Sequence, residues 1–216
     1  MRFLYKKVKN ELLQKIDKLK IRYQQNLVAN KIKKYSSKKD LKIVVGSGGI
    51  YEKGWMPIEF NQLDIKQKND WERLFSKNSI DAILAEHVWE HLSLEEGMLA
   101  ANHCFYYLKP GGYIRVAVPD GYHSNQEYIK WVKPEGTGDG SDDHKVLFNY
   151  ITLSKVFTDV GFKIKLLEYF DENGDFHCNE WSEHDGKINR SAKHDPRNQD
   201  GQLKYTSVII DAIKHT

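Results

Sequence analysis

Residues 108–120 constrain the fold of this chain more than any other stretch. They read Leu108-Lys109-Pro110-Gly111-Gly112-Tyr113-Ile114-Arg115-Val116-Ala117-Val118-Pro119-Asp120. Proline cannot continue a helix and paired glycines allow positive φ, so Lys109 to Gly112 predicts a helix stop and a turn. Tyr113 to Val118 is a β-branched, largely apolar run of strand length. Two similar runs lie upstream: Ile80-Asp81-Ala82-Ile83-Leu84-Ala85, and Leu41-Lys42-Ile43-Val44-Val45, which ends in Gly46-Ser47-Gly48-Gly49. Helical patterns separate the three, which predicts parallel βαβ units in an α/β, doubly wound sheet.

The remaining elements follow from the same signals. Residues 3–35 lack Pro and Gly and carry Leu12, Ile16, Leu19 and Tyr23 at helical spacing. Tyr35 to Asp40 reads as a connector. A second strand is expected at 55–60, a short helix at 69–77, and a helix from Leu94 to Leu108 capped by Ser93, with Glu95 and Glu96 at its positive end. Ser124 to Trp131 is expected to be helical. Pro134 to Asp143 is a polar, glycine-rich lid candidate, and a helix from Leu147 to Val160 ends at Gly161. Phe162–Tyr169 and Tyr205–Ile213 read as strands. Between them lies an acid-, His- and Asn-rich excursion of about 30 residues, too long for an irregular loop without a use.

A chain of 216 residues fits one folded domain, here 41–216, preceded by a basic arm, 1–40. No apolar run approaches the ~18 residues of a membrane helix, and the N-terminus lacks the apolar centre of a secretory signal. Cys104 and Cys178 give no disulfide framework, and the expectation is a reduced, cytoplasmic protein. The arm holds 13 Lys or Arg and 3 Asp or Glu against a whole-chain charge of +3, so the remainder is acidic. Two readings of the arm stay open. It packs its apolar stripe on the domain, or it lies on anionic lipid as a peripheral contact at the inner face of the membrane. Nucleic acid is the weaker partner, because the arm carries no recognised motif or aromatic platform.

With these elements in place, the chain resembles the class I S-adenosylmethionine-dependent methyltransferases. Within them it resembles the compact bacterial branch associated with lipopolysaccharide and capsule gene clusters. The motifs are the glycine turn, Gly54-Trp55-Met56-Pro57-Ile58-Glu59, His87-Val88-Trp89-Glu90-His91, and the Pro-Gly-Gly strand ending in Val118-Pro119-Asp120. The resemblance implies a Rossmann-like sheet, mostly parallel with an antiparallel C-terminal hairpin, and S-adenosylmethionine as cofactor. It implies O-methyl transfer to a sugar or surface-glycan precursor, nucleotide- or lipid-linked.

The candidate residues follow. Gly46, Ser47 and Gly48 let a ligand approach the backbone at a strand's carboxyl end, where such folds bind nucleotides. Glu59 has only acceptor lone pairs to offer and suits two ribose hydroxyls; otherwise it is a solvated strand-end glutamate. The resemblance puts Asp64 near the adenine amino group and lines the methionyl side with Glu86 and His87. His87, Asp120 and His144 are the candidate bases. Asp120 otherwise caps the next helix or closes an Asx-turn, His144 is otherwise a surface His beside an N-cap, and His91 reads as structural. Arg190, His194 and Arg197 would bind an anionic acceptor, or form a salt-bridge network. Val44 departs from the family, many of whose members carry an acidic or Asn residue there.

Other classes are weighed beside this one. His87-x-x-Glu90-His91 matches the inverted zinc-peptidase signature, but no distal ligand can be named from the sequence, and no metal residue is assigned. Val44 motivates a catalytically degenerate binding subunit. A nicotinamide-dependent dehydrogenase would want a third glycine where Tyr51 stands. An RNA methyltransferase rests on the basic arm alone.

Overall fold

The computed structural model describes residues 2–36, 40–49 and 52–215; part of the expected connector (37–39) and Tyr51 lie outside them. Seven strands form one mixed sheet: β1 (Lys42–Val45), β2 (Met56–Ile58), β3 (Ile80–Glu86), β4 (Leu108–Pro119), β5 (Lys163–Phe170), β6 (Phe176–Cys178) and β7 (Ser207–Ile213). Their order is β2-β1-β3-β4-β7-β5-β6. The first four are parallel, and β7 runs antiparallel between β4 and β5. This is the expected α/β, Rossmann-like arrangement with an antiparallel C-terminal pair. The three-residue β6, which pairs with the end of β5, was not legible as a strand.

The helices are α1 (Arg2–Ser36), α2 (Lys68–Leu74), α3 (Leu94–Tyr107), α4 (Gln126–Val132) and α5 (Tyr150–Thr158). Ser93 caps α3 in a capping box with Glu96. Two helices start later than the periodicity predicts, because Asn125 and Asn149 act as N-caps and hold the preceding residues extended. The Pro-Gly-Gly turn is also different from expectation. Leu108 already pairs with Ile80, and the pairing resumes at Tyr113 with Ala82, so Lys109 to Gly112 is a bulge inside β4. Gly112 is required there, since a Cβ would meet the Asp81 carbonyl at 2.8 Å.

Alternation along the strands sorts two unequal faces. Ile43, Val45, Ile83, Ala85, Ile114, Val116 and Ile210 meet the helical layer, including Trp71 of α2, Ala100 and Cys104 of α3, and Phe157 of α5. The other face, Val44, Ala82, Leu84, Ala117 and Ile209, is covered by Trp55, Ile188 and Trp181 instead of by helices. The excursion thus does the work of a helical layer. Val44 belongs to this packing and is buried against Trp55, which leaves no place for a polar side chain.

On α1 the expected stripe does not pack on the domain. Leu12, Ile16, Leu19 and Tyr23 are exposed, Leu19 to 66%, while Val28 and Ile32 join the helical core. No helix among the described residues is long and apolar enough to cross a membrane.

Candidate active site

β1 feeds β2 on one side, and the chain then crosses to β3 on the other, so the connections diverge at the carboxyl ends of β1 and β3. Open α/β sheets bind ligands in that crevice. Gly46 to Gly49 leave β1 there, with Gly46 at φ +58° and so close to Val88 that a Cβ would stand 2.9 Å from its Cγ2. Ser47 N donates to the Ile58 carbonyl at the end of β2. One residue on, the Glu59 carboxylate turns back over the glycine turn. It accepts from Gly48 N at 3.2 Å, from Gly49 N at 3.3 Å and from the Ser47 hydroxyl. Gly46, Ser47, Gly48 and Glu59 are therefore one cluster. Asp64 lies apart from it in these contacts and closes its own turn, accepting from Lys66 N at 3.1 Å.

His87 leaves β3 with φ +56°, a rare conformation for a residue with a Cβ, fixed by its N–H to the Ala117 carbonyl at 2.8 Å. Both ring nitrogens are engaged. The Ser207 hydroxyl gives its one proton to the Arg190 carbonyl (2.9 Å), so at 3.1 Å it can only accept from His87 Nε2–H. Nδ1 lies 2.9 Å from Glu90 Oε1. Glu90 is buried, and burial alone would raise its pKa. Attraction to His87, helped by His91, outweighs that and holds the carboxyl below its ordinary value.

His87 opens onto a cavity of about 250 Å3 whose wall includes Trp131, Asp139, His144, Arg190, Arg197 and Tyr205. His144 Nδ1 lies 2.7 Å from the Val132 carbonyl; a carbonyl only accepts, so Nδ1–H donates and in the neutral ring Nε2 keeps its lone pair. Arg197 is pinned: its guanidinium forks onto Asp195 at 2.7 and 2.6 Å and lies 3.4 Å over the Tyr205 ring. Arg190 binds through its backbone, N to Glu86 and O from Ser207, and its exposed side chain lines the cavity. Four of the candidates, His87, His144, Arg190 and Arg197, thus converge.

Besides the glycine-turn cluster and Asp64, three candidates do not line that cavity. Asp120 is fully buried; its oxygens accept from Tyr122 N at 2.9 Å and Phe170 N at 2.8 Å, an Asx-turn tied to β5 with no room for an acceptor. Burial pushes its pKa up to about 6. His194 faces a separate cavity with Trp181 and stands 3.0 Å from Glu183. Glu86, expected along the methionyl side, spends both oxygens on the excursion: Asn189 N at 3.1 Å, Asn189 Nδ2 at 3.2 Å and Arg190 N at 2.8 Å.

Two further buried charges escaped the sequence reading. Arg115 forks onto Asp211 at 2.7 and 2.8 Å and gives its remaining nitrogen to the Ser182 and Gly186 carbonyls. Glu168 accepts from Trp181 Nε1, Ala192 N and the Thr206 hydroxyl. For Arg115 the available signal was a lone charge in the apolar run Tyr113–Val118; Glu168 shares β5 with Lys163 and Lys165 and gave none.

The zinc-peptidase signature does not assemble as read. His87 is held by Ser207 and Glu90, whereas Glu90 and His91 group with His144.

No family model matches the sequence, and no curated protein matches it. Solved structures align with the chain at low identity and TM-scores below 0.5. A SAM-dependent methyltransferase, possible histamine N-methyltransferase, from Thermotoga maritima is 12% identical at TM-score 0.49, covering 91% of this chain and 96% of that one. A SAM dependent methyltransferase from Archaeoglobus fulgidus is 16% identical at TM-score 0.46, covering 88% and 94%. The phosphoethanolamine N-methyltransferase 2 of Haemonchus contortus, in complex with S-adenosyl-L-methionine, is 13% identical at TM-score 0.42, covering 88% of this chain and 53% of that one. Likeness at this level gives no residue correspondence.

Proposed function

We propose that the chain is an S-adenosylmethionine-dependent methyltransferase that O-methylates a sugar or surface-glycan precursor. The observation that carries the reading is the Glu59 carboxylate folded over the Gly46–Gly49 turn at the switch point of the sheet. A carboxylate beside small residues at a strand end suits a ribose diol next to a methionyl chain. A dinucleotide fits less well. Its pyrophosphate wants a helix N-terminus after the glycine turn, and here the turn leads to β2 with no helix among the described residues.

The sulfonium supplies an electrophilic methyl group when bound. The protein's task is then to hold an acceptor oxygen in line and to receive its proton. Asp120 is out of reach and His87 has both nitrogens engaged, so the free Nε2 of His144 ranks first on the acceptor side. Trp131 is exposed and offers its ring to a sugar, whereas the Tyr205 face is covered by Arg197. Arg190 offers a guanidinium to a phosphate or carboxylate, which favours an anionic or nucleotide-linked glycan.

Calorimetric titration with S-adenosylmethionine and S-adenosylhomocysteine, with NAD as control, tests the reading. Micromolar binding of the first two and none of NAD is expected. Binding of NAD alone, or silence toward both sulfur ligands by folded protein, overturns it.

A further inference from the structure

We propose that Glu90, His91 and His144 form a binding site for one divalent transition-metal ion of the zinc class, at the wall of the acceptor cavity. One potential ligand atom from each of the three lies within 4.8 Å of the other two.

The first observation is an incompletely matched carboxylate. Both oxygens of Glu90 are buried without a hydrogen bond, and the ion-pair contact of Oε1 with His87 Nδ1 at 2.9 Å leaves Oε2 with no partner among the described residues. A buried carboxylate left so is costly unless a cation or donors complete it. The second is the state of the two rings. His144 has Nδ1 on the Val132 carbonyl, which fixes its tautomer and leaves Nε2 as a ligand. His91 Nδ1 stands 2.7 Å from Asp143 Oδ1, a close contact and not an aligned hydrogen bond, and the two rings meet edge to face with centroids 4.8 Å apart. Metal-bound histidines are habitually held by such a carbonyl or carboxylate on the other nitrogen.

The third observation is how the ligand-bearing segments are joined. The Glu90 carbonyl accepts from Lys145 N at 2.7 Å and from Val146 N at 3.2 Å. The turn after β3 and the end of the glycine-rich loop are therefore fastened by backbone, independently of the three side chains. The site is built without needing the ion to assemble it.

Two imidazoles and one carboxylate select a borderline ion such as zinc, cobalt or iron(II) over magnesium or calcium, which prefer oxygen throughout. Three protein ligands also leave a coordination position open, and His144 lies on the cavity wall. An ion there would take over from His144 the task of activating an acceptor hydroxyl.

The test is titration of chelator-stripped full chain with ZnCl2 by calorimetry, with CoCl2 absorption as an independent readout and MgCl2 as control. One zinc per chain at micromolar affinity or tighter is expected, with visible cobalt bands. His91→Ala and His144→Ala should each lose it, His194→Ala should keep it, and Asp143→Asn should weaken it about 10-fold or more. Zinc binding that survives either ligand substitution, or no zinc binding by folded wild type, overturns the proposal. No methyl donor is present in this titration, so its outcome is separate from that of the cofactor reading.

Discussion

Glu86 at the end of β3 accepts the backbone N–H of Arg190 at 2.8 Å, joining two residues 104 apart in sequence. Arg190 in turn presents its side chain to the cavity, so a strand-end carboxylate sets the position of a binding residue it does not itself resemble. Arg115 and Glu168 do the same for Ser182, Gly186 and Ala192. The long excursion is thereby a fixed wall on the open face of the sheet.

Replacing Glu86 tests that anchoring. Glu86→Ala leaves three N–H groups without their acceptor and should cost about 2–3 kcal/mol, with Glu86→Gln intermediate. Urea denaturation gives the cost. Amide exchange should accelerate at Asn189 and Arg190 before the strands are affected; equal protection in the mutant would remove Glu86 from this role.

Glu59 should separate ligand binding from folding. Its bonds to Gly48 N and Gly49 N are long and exposed and the buried Ser47 hydroxyl would lose an acceptor, so Glu59→Ala should cost about 1–2 kcal/mol of stability. Donor affinity should fall at least about tenfold, the worth of one charged hydrogen bond. Unchanged affinity for S-adenosylhomocysteine in the folded mutant defeats the ribose assignment.

The sheet was legible because its signals are local. Ala82–Ala85 is a continuous apolar run, Ser93 stands three residues before Glu96, and Gly161, at φ +109°, closes the turn just after α5. What could not be read depends on pairing at long range. Nothing near Asp120 in sequence announces that Phe170 N will take its second oxygen, and nothing near Glu90 announces His144. Arg115 and Asp211 become partners only once β4 and β7 are in register, where they stand directly opposite one another. The candidate site was half legible for the same reason: strand-end residues at the switch point come from topology, and burial of a carboxylate comes from packing.

The two arginines of the cavity should behave in opposite ways. Arg197 neutralises Asp195, which is buried, so Arg197→Ala should destabilise by about 2 kcal/mol or more. Arg190→Ala removes an exposed side chain and should stay within about 0.5 kcal/mol of wild type. Its effect should appear instead as a raised KM for an anionic acceptor with little change in kcat. A stability loss at Arg190 matching that at Arg197 would make both part of one structural network.

Stability against pH should carry two opposed contributions from neighbours in one turn. Burial raises the pKa of Asp120 to about 6 and lowers that of His123 to about 4. For Asp120 the unfolded chain ionises first, so stability is lost as pH rises from near 4 to near 6. For His123 the unfolded chain protonates first, so stability is lost as pH falls from about 6.5 to about 4. Each displacement is worth roughly 3 kcal/mol at about 1.4 kcal/mol per pH unit, and the two nearly cancel in the wild type. Asp120→Asn should therefore gain on wild type as pH is raised from 4 to 7, and His123→Gln should gain as pH is lowered over the same range. Urea midpoints at pH 4, 5.5 and 7 distinguish the two slopes. Parallel curves for wild type and both variants would mean that folding displaces neither pKa.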